Sequence, residues 1–467
     1  MAMNIINWNV QQGGDDNNGG GYIKGGNTTN YSLQDVAELT IADGVTAGIG
    51  NTTLTSVTGG FTPAMSGNTV HIYGGTNVLP SGWYEIQSYT DTNTIGLDRA
   101  PDDGVGGINS ATCKVGGALA TVGGLGAPLA YTSATRIVGS RGWIKYSATP
   151  YEVTNNTPNV SNGRFIQQSD WNLPFSIIGY YETQGDDCYG NNRPTINGNS
   201  GGSLTAIVEM IESTDEYKSI FANLIINELA GTTVDAGIRT NGGNGYVFNC
   251  KVTNTNYGFS ACSVFGCEAS GCKTAFHATS HAIKCISHHN PGNGFSTGGN
   301  YYNCLAYRNT GNGFIQINAE SNYYNCASIN NNADGFGKVS AVGARYINCI
   351  ATHNGAYGFD LETNALALFN CYTFGNTTGS VNLDNVDHLG GPLGLANVTD
   401  LTVDPWVSSP SSVPVGEEYW LNNTAGGGAV LRGAGLKMPF PLGGIDAPDI
   451  GPVQHVDAPV TYFAVNF

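Results

Sequence analysis

Few residues in this sequence have the types and spacing that chemistry requires. Hydrolysis of a glycosidic bond needs two carboxylates facing each other across it. A Ca²⁺ site likewise needs carboxylates to hold the ion. Between Tyr246 and Asn376 the chain has five carboxylates: Glu268, Glu320, Asp334, Asp360 and Glu362. Asp360 and Glu362, two residues apart, are a candidate pair. Asp186 and Asp187, close to Arg193, are another, in a stretch that reads as a turn. A different set, His289, Arg308, Asn330 and His353, recurs four residues after a cysteine in successive repeats. Such a polar stripe suits gripping a glycan or moving protons. His288 and His289 are adjacent, but no third ligand stands at metal-site spacing, so neither a metal nor another cofactor is expected.

These residues sit on a repeat. Its units read "YVFNC…YGF", "YYNCLAYRNTGNGF", "YYNCASINNNADGF" and "RYINCIATHNGAYGF". The cysteines fall at Cys250, Cys267, Cys285, Cys304, Cys326, Cys349 and Cys371, with gaps of 17, 18, 19, 22, 23 and 22. Phe259, Phe276, Phe295, Phe314, Phe336 and Phe359 keep pace with them. Apolar residues alternate with a period of 2 inside each unit, and Gly and Asn recur in every unit, so the repeat is one of strands and not helices. The fold expected is all-β: a right-handed parallel β-helix whose coils stack about 4.8 Å apart.

Carrying the alternation straight through each cysteine sorts the side chains into faces. It puts Phe248, Phe265, Ile283, Tyr302, Tyr324, Ile347 and Phe369 inward with the cysteines, which are then reduced apolar fillers of a ladder. It puts Tyr301, Tyr323 and Tyr346 outward, with Ile286, Leu305 and Ile350. Apolar side chains on an outward face call for a cover: a second or third copy of the chain, a sugar stacked on the tyrosines, or the chain's own terminal segments. Five residues after the cysteine, Asn290, Asn309, Asn331, Asn354 and Asn376 form an asparagine ladder at a corner.

Glycine (67 residues) and low charge (11%) fit an all-β chain, while 40% hydrophobic residues exclude disorder. A net charge of −17 excludes nucleic acid as a partner. No run approaches the roughly 18 apolar residues of a membrane span, and Met1–Gly20 lacks the basic and apolar parts of a secretory signal. Residues 1–43 read as an arm, rich in Gly and Asn, that orders on assembly. Residues 44–118 read as a small antiparallel β unit, 119–405 as the β-helix, and 406–467 as an irregular segment capping its open end.

The coils resemble the pectate-lyase-like superfamily of right-handed β-helices. More narrowly, "LTSVTGGFTPAMSGNTVHIYGG…GWYEIQSYTDTNTIGLDRAP", "KVGGALAT", "IIGYYETQGDD…RPTI" and "LNNTAGGGAVLRGAG…DIGPVQH" resemble β-helix proteins of bacteriophages and environmental bacterial genomes. The resemblance implies a capsid-attached, fibre or tailspike-like component of a virion, commonly a homotrimer, built in the host cytoplasm beside other virion proteins and facing a host-surface glycan. Because one fold hosts many chemistries, two alternatives stand beside it. One is a glycan-degrading lyase or hydrolase; the other is a non-catalytic bacterial surface adhesin.

Overall fold

The computed structural model describes residues 5–23, 28–78, 82–125, 140–153, 175–186, 188, 190–198, 206–211, 219–229, 235–241, 245–296, 298–317, 320–338, 343–361, 367–382, 398–406, 421–422 and 424–432. The chain divides into two compact units, Met1–Thr232 and Thr233–Phe467.

In the first unit a six-stranded antiparallel sheet runs Leu39–Gly44, Ala111–Val115, Thr69–Tyr73, Gly82–Asp91, Thr94–Leu97, Thr53–Thr55. Ile41, Leu54, Phe61, Val70, Tyr84, Ile95 and Val115 fill its core. The small β unit therefore begins at Leu39, five residues before the expected boundary. The arm also differs from expectation. Ile6–Val10 is a strand paired in parallel with Ser140–Lys145, itself paired with Phe175–Tyr180. What holds the rest of the arm is local bonding that composition does not reveal. Asp16 accepts the N–H groups of Ala120 (3.0 Å) and Thr121 (2.9 Å), and Lys114 pairs with Asp15.

His71 supplies a further tie. Its Nδ1 donates to the Asn17 carbonyl at 2.8 Å and its ring stacks on Trp83, whose Nε1 donates to Asn18. Burial pushes the His71 imidazole down to about 4, Lys114 adding to the effect while the Asn17 carbonyl and Asp15 oppose it. A histidine held neutral contributes stability above its unfolded value of 6.5, and loses it as pH falls through 4. The urea midpoint of the first unit is expected to drop between pH 6.5 and 4, and to drop less in His71→Phe. Equal slopes in the two proteins would remove His71 as the cause.

The second unit is a stack of parallel coils, as the repeat predicts. Each coil supplies a strand to three sheets. One coil contributes Asn300–Tyr302, Leu305–Tyr307 and Phe314–Gln316, and each pairs with its counterpart one coil on, Ser321–Tyr324, Ala327–Ile329 and Phe336–Lys338. We call these the tyrosine, alanine and phenylalanine sheets after their inward residues. The phenylalanines stack face to face, Phe295 on Phe314 at 4.6 Å and Phe336 on Phe359 at 4.9 Å.

Two left-handed corners recur in every coil of the repeat and decide which residues of the cysteine region face inward. The residue before each cysteine has positive φ: Asn249, Gly266, Lys284, Asn303, Asn325, Asn348 and Asn370 lie between 49° and 60°. So does the residue four after it: Asn254, Gly271, His289, Arg308, Asn330, His353 and Gly375, between 51° and 66°. Only Gly, and to a lesser extent Asn, enters this region at little cost. Each corner breaks the alternation, so the faces on its two sides must be counted separately. The cysteines face inward as expected, and all are free thiols. Tyr301, Tyr323 and Tyr346 face inward too, with exposures of 0%, 1% and 0%; the outward placement expected for them is wrong. Their neighbours Phe248, Phe265, Ile283, Tyr302, Tyr324, Ile347 and Phe369, expected inside, are half-exposed on the outer face.

The asparagine ladder lies just past the second corner, one residue beyond the left-handed position. Asn290 Nδ2 donates to Asn309 Oδ1 (2.7 Å), Asn309 to Asn331 (2.9 Å), Asn331 to Asn354 (3.1 Å) and Asn354 to Asn376 (2.9 Å). Each also caps backbone groups of adjacent coils, which satisfies amides that burial would otherwise make costly.

After a last strand, Val398–Asp400, the chain turns back along the outside of the alanine sheet. Leu401, Trp406, Leu421 and Leu431, the last in a short helix (Gly428–Leu431), pack on Leu305, Tyr307, Ala327, Ile329 and Ile350. The described part of the segment expected to cap the open end is instead a strap along the side. It covers Leu305 and Ile350, two residues assigned to a self-association face; Ile286, one coil earlier, stays 37% exposed.

Candidate functional site

Of each candidate carboxylate pair one member is described, and it is engaged in local structure. Asp360 ends the strand Tyr357–Asp360 and its Oδ1 accepts from Asn382 Nδ2 at 2.9 Å; Glu362 lies outside the described residues. Asp186 accepts the backbone N–H groups of Glu182 and Thr183, which makes it a turn-former. Asp187 also lies outside the described residues. Arg193 is buried and its Nε donates to the Gly190 carbonyl at 3.0 Å. Among the described residues no group of three or more His, Cys, Asp or Glu side chains could hold a metal ion.

His289, Arg308, Asn330 and His353 do form a file, because all four occupy the second left-handed corner of consecutive coils. Their backbone N–H groups are consumed by the next coil, His289 to Tyr307 O (3.3 Å) and His353 to Phe374 O (2.9 Å). At the top of the file His353 Nε2 stands 3.4 Å from Asp404 of the strap, and burial depresses its imidazole against the opposing pull of that carboxylate.

Two outer surfaces remain. The first is the tyrosine sheet, where the apolar file Phe248 to Phe369 runs over seven coils. Its rings stack on one another, Phe248 on Phe265 at 4.8 Å and Tyr302 on Tyr324 at 5.0 Å. In each of these pairs one ring face is covered by its neighbour. Beside it runs a polar file in which Asn322 donates to Asn300 (2.8 Å) and Arg345 to Asn322 (3.4 Å).

The second surface is the part of the alanine sheet that the strap leaves open. Lys251, Glu268 and Ile286 occupy one outward register, and Ser270, His288 and Tyr307 the other. Glu268 Oε1 accepts from Lys251 Nζ at 2.8 Å and from His288 Nε2 at 3.0 Å. His288 Nδ1 meets His289 Nδ1 at 2.9 Å, and the His288 ring stacks on Tyr307 at 5.0 Å. Burial alone would raise the Glu268 carboxyl; the hydrogen bonds from His288 and Lys251 overcome that and hold it at about 2. Glu268 is one of the five carboxylates of the repeat and belongs to neither candidate pair. The signal that would have found this cluster is opposite charge in one register, since Lys251 and Glu268 each directly follow a cysteine.

No protein-family model matches the chain, and no curated protein matches it. Among solved structures it is similar to the pectate lyase Pel9A, at 14% identity over 70% of this chain and 90% of that one, with a TM-score of 0.40. It is similar to the A-module of the mannuronan C-5 epimerase AlgE6 of Azotobacter vinelandii, at 13% identity over 54% and 75% of the two chains, TM-score 0.35. It is also similar to ORF18 of Geobacillus virus E2, at 10% identity over 51% and 54%, TM-score 0.24.

Proposed function

We propose that this protein is a non-catalytic structural or adhesive component of a bacteriophage particle, homotrimeric, assembled in the host cytoplasm and presented to a host-surface glycan. The observation that carries this reading is the half-exposed apolar file of the tyrosine sheet, from Phe248 to Phe369. A stripe of that kind is covered in a working assembly. Where its rings stack in pairs each covers a face of the other, which favours packing against protein over stacking of a sugar. A second copy related by an axis along the coils has the same repeat, so its file stays in register over all seven coils; a partner of another period drifts out. Three further points agree with the reading. The eleven cysteines are free and buried, as suits folding under reducing conditions. The candidate carboxylates Asp186 and Asp360 are each engaged in local structure. The segments flanking the coils resemble phage β-helix proteins.

Light scattering on the purified chain tests the proposal. A molar mass near three times 48.8 kDa, about 146 kDa, is expected, falling to 48.8 kDa in Tyr302→Ser/Tyr324→Ser. A wild-type mass of 48.8 kDa would refute the homotrimer.

A further inference from the structure

Within the second unit, the part of the alanine sheet away from the strap is built differently from the rest of its outer face. Toward the strap its registers are apolar, Leu305, Ala327 and Ile350 in one and Tyr307 and Ile329 in the other, all covered. Away from the strap they become Lys251 and Glu268, each about a third exposed, and the buried His288, joined at the step by the exposed Ile286. The cluster is organised in advance. Both partners bind the same oxygen of Glu268, Oε1. Oε2 accepts no hydrogen bond from the described residues, and the side chain is 29% exposed. Lys251 uses one of its three N–H donors here and is 31% exposed. His288 is held by Glu268 on one nitrogen, by His289 on the other, and by the Tyr307 ring beneath it.

A fixed acceptor, a neighbouring donor and a small apolar step match one kind of ligand, a ring with hydroxyls on its rim and C–H groups on its face. We propose that Lys251, Glu268, His288 and Ile286 form a binding subsite for a neutral pyranoside. Glu268 Oε2 accepts from one hydroxyl, Lys251 Nζ donates to its neighbour, and Ile286 lies under the ring. This rests on the adhesive reading above and adds a chemical class to it. The class is neutral because the carboxylate that would take the hydroxyl is fully ionised at neutral pH and repels uronate, sulfate or phosphate. Lys251, which would otherwise attract such groups, is already paired. His288 positions Glu268 and does not touch the sugar.

The test is retention of the full chain on an array carrying neutral hexose and N-acetylhexosamine oligosaccharides beside oligogalacturonates. Retention on neutral spots is expected, weakened at least tenfold in Glu268→Gln. Ile286→Lys, at an exposed position where folding is not at stake, is expected to abolish it. Circular dichroism and light scattering confirm that each variant keeps its fold and mass. Neutral binding unchanged in both variants, but lost in Arg308→Ala, would overturn the subsite and leave glycan adhesion standing. Wild-type preference for oligogalacturonate would overturn the chemical class. A trimer of about 146 kDa retained on no spot would overturn the subsite while leaving the structural role intact.

Discussion

Replacing Asn331 by alanine is expected to destabilise the second unit by about 3–5 kcal/mol, among the largest effects of any single substitution there. Asn331 lies mid-ladder and is 1% exposed. Its Nδ2 donates to Ala306 O (3.1 Å), Ser328 Oγ (2.9 Å) and Asn354 Oδ1 (3.1 Å). Its Oδ1 accepts from the backbone and side-chain amides of Asn309, at 3.0 and 2.9 Å. The substitution leaves those Asn309 donors buried and unpaired, and an unsatisfied buried group costs about 1–3 kcal/mol. The neighbouring Asn332 has an exposed side chain, so Asn332→Ala should stay within about 0.5 kcal/mol. Urea midpoints followed by fluorescence compare the two. Similar midpoints would mean that the ladder is incidental to stability.

Trp406→Ala is expected to have the second large effect, about 3–5 kcal/mol by truncation of a buried aromatic. Trp406 is 4% exposed, packs in the cluster that joins strap to sheet, and donates from Nε1 to Thr352 Oγ1 at 2.9 Å. Its loss loosens the cover over Leu305, Ala327 and Ile350. The variant should therefore bind a hydrophobic dye that the wild type does not, and be cut by protease within 398–432 before the coils are attacked. A variant that binds no dye and resists protease as the wild type does would show that the other strap residues hold it alone.

The coil architecture was legible because it is periodic. Seven cysteines and six phenylalanines moving together reveal stacked strands, and the amides at Asn309, Asn331 and Asn354 reveal the ladder. The inward face of the tyrosine sheet was not legible by alternation alone. "YYNC" reads as one continuous strand, yet Asn303 turns left-handed at φ 53°, so Tyr301 and Cys304 both point inward and Tyr302 outward. The clue was the asparagine that recurs at that position, a residue tolerant of the conformation. Lys284 stands in the same place with φ 55°, where its type gives no such warning. The cover of Leu305 and Ile350 by Trp406 was hidden for another reason. It joins segments far apart in the chain that share no pattern, and one of three occupants left open by the sequence proves to be the chain itself. The Glu268 cluster escaped because paired carboxylates were the expected signal, and Glu268 is a single carboxylate between a lysine and a histidine.

The two corners also constrain how such a chain can change length over evolutionary time. From each cysteine to its phenylalanine the spacing is 9 or 10 residues throughout, whereas from that phenylalanine to the next cysteine it ranges from 8 to 13. An insertion between the corners would shift every side chain behind it to the wrong face at once. An insertion after the phenylalanine strand leaves the thiol, amide and aromatic files aligned. Duplication of a whole coil, such as the 22 residues from Cys304 to Asn325, does the same. New loops, and whatever new specificity they bring, should accordingly accumulate at that one connection, coil after coil.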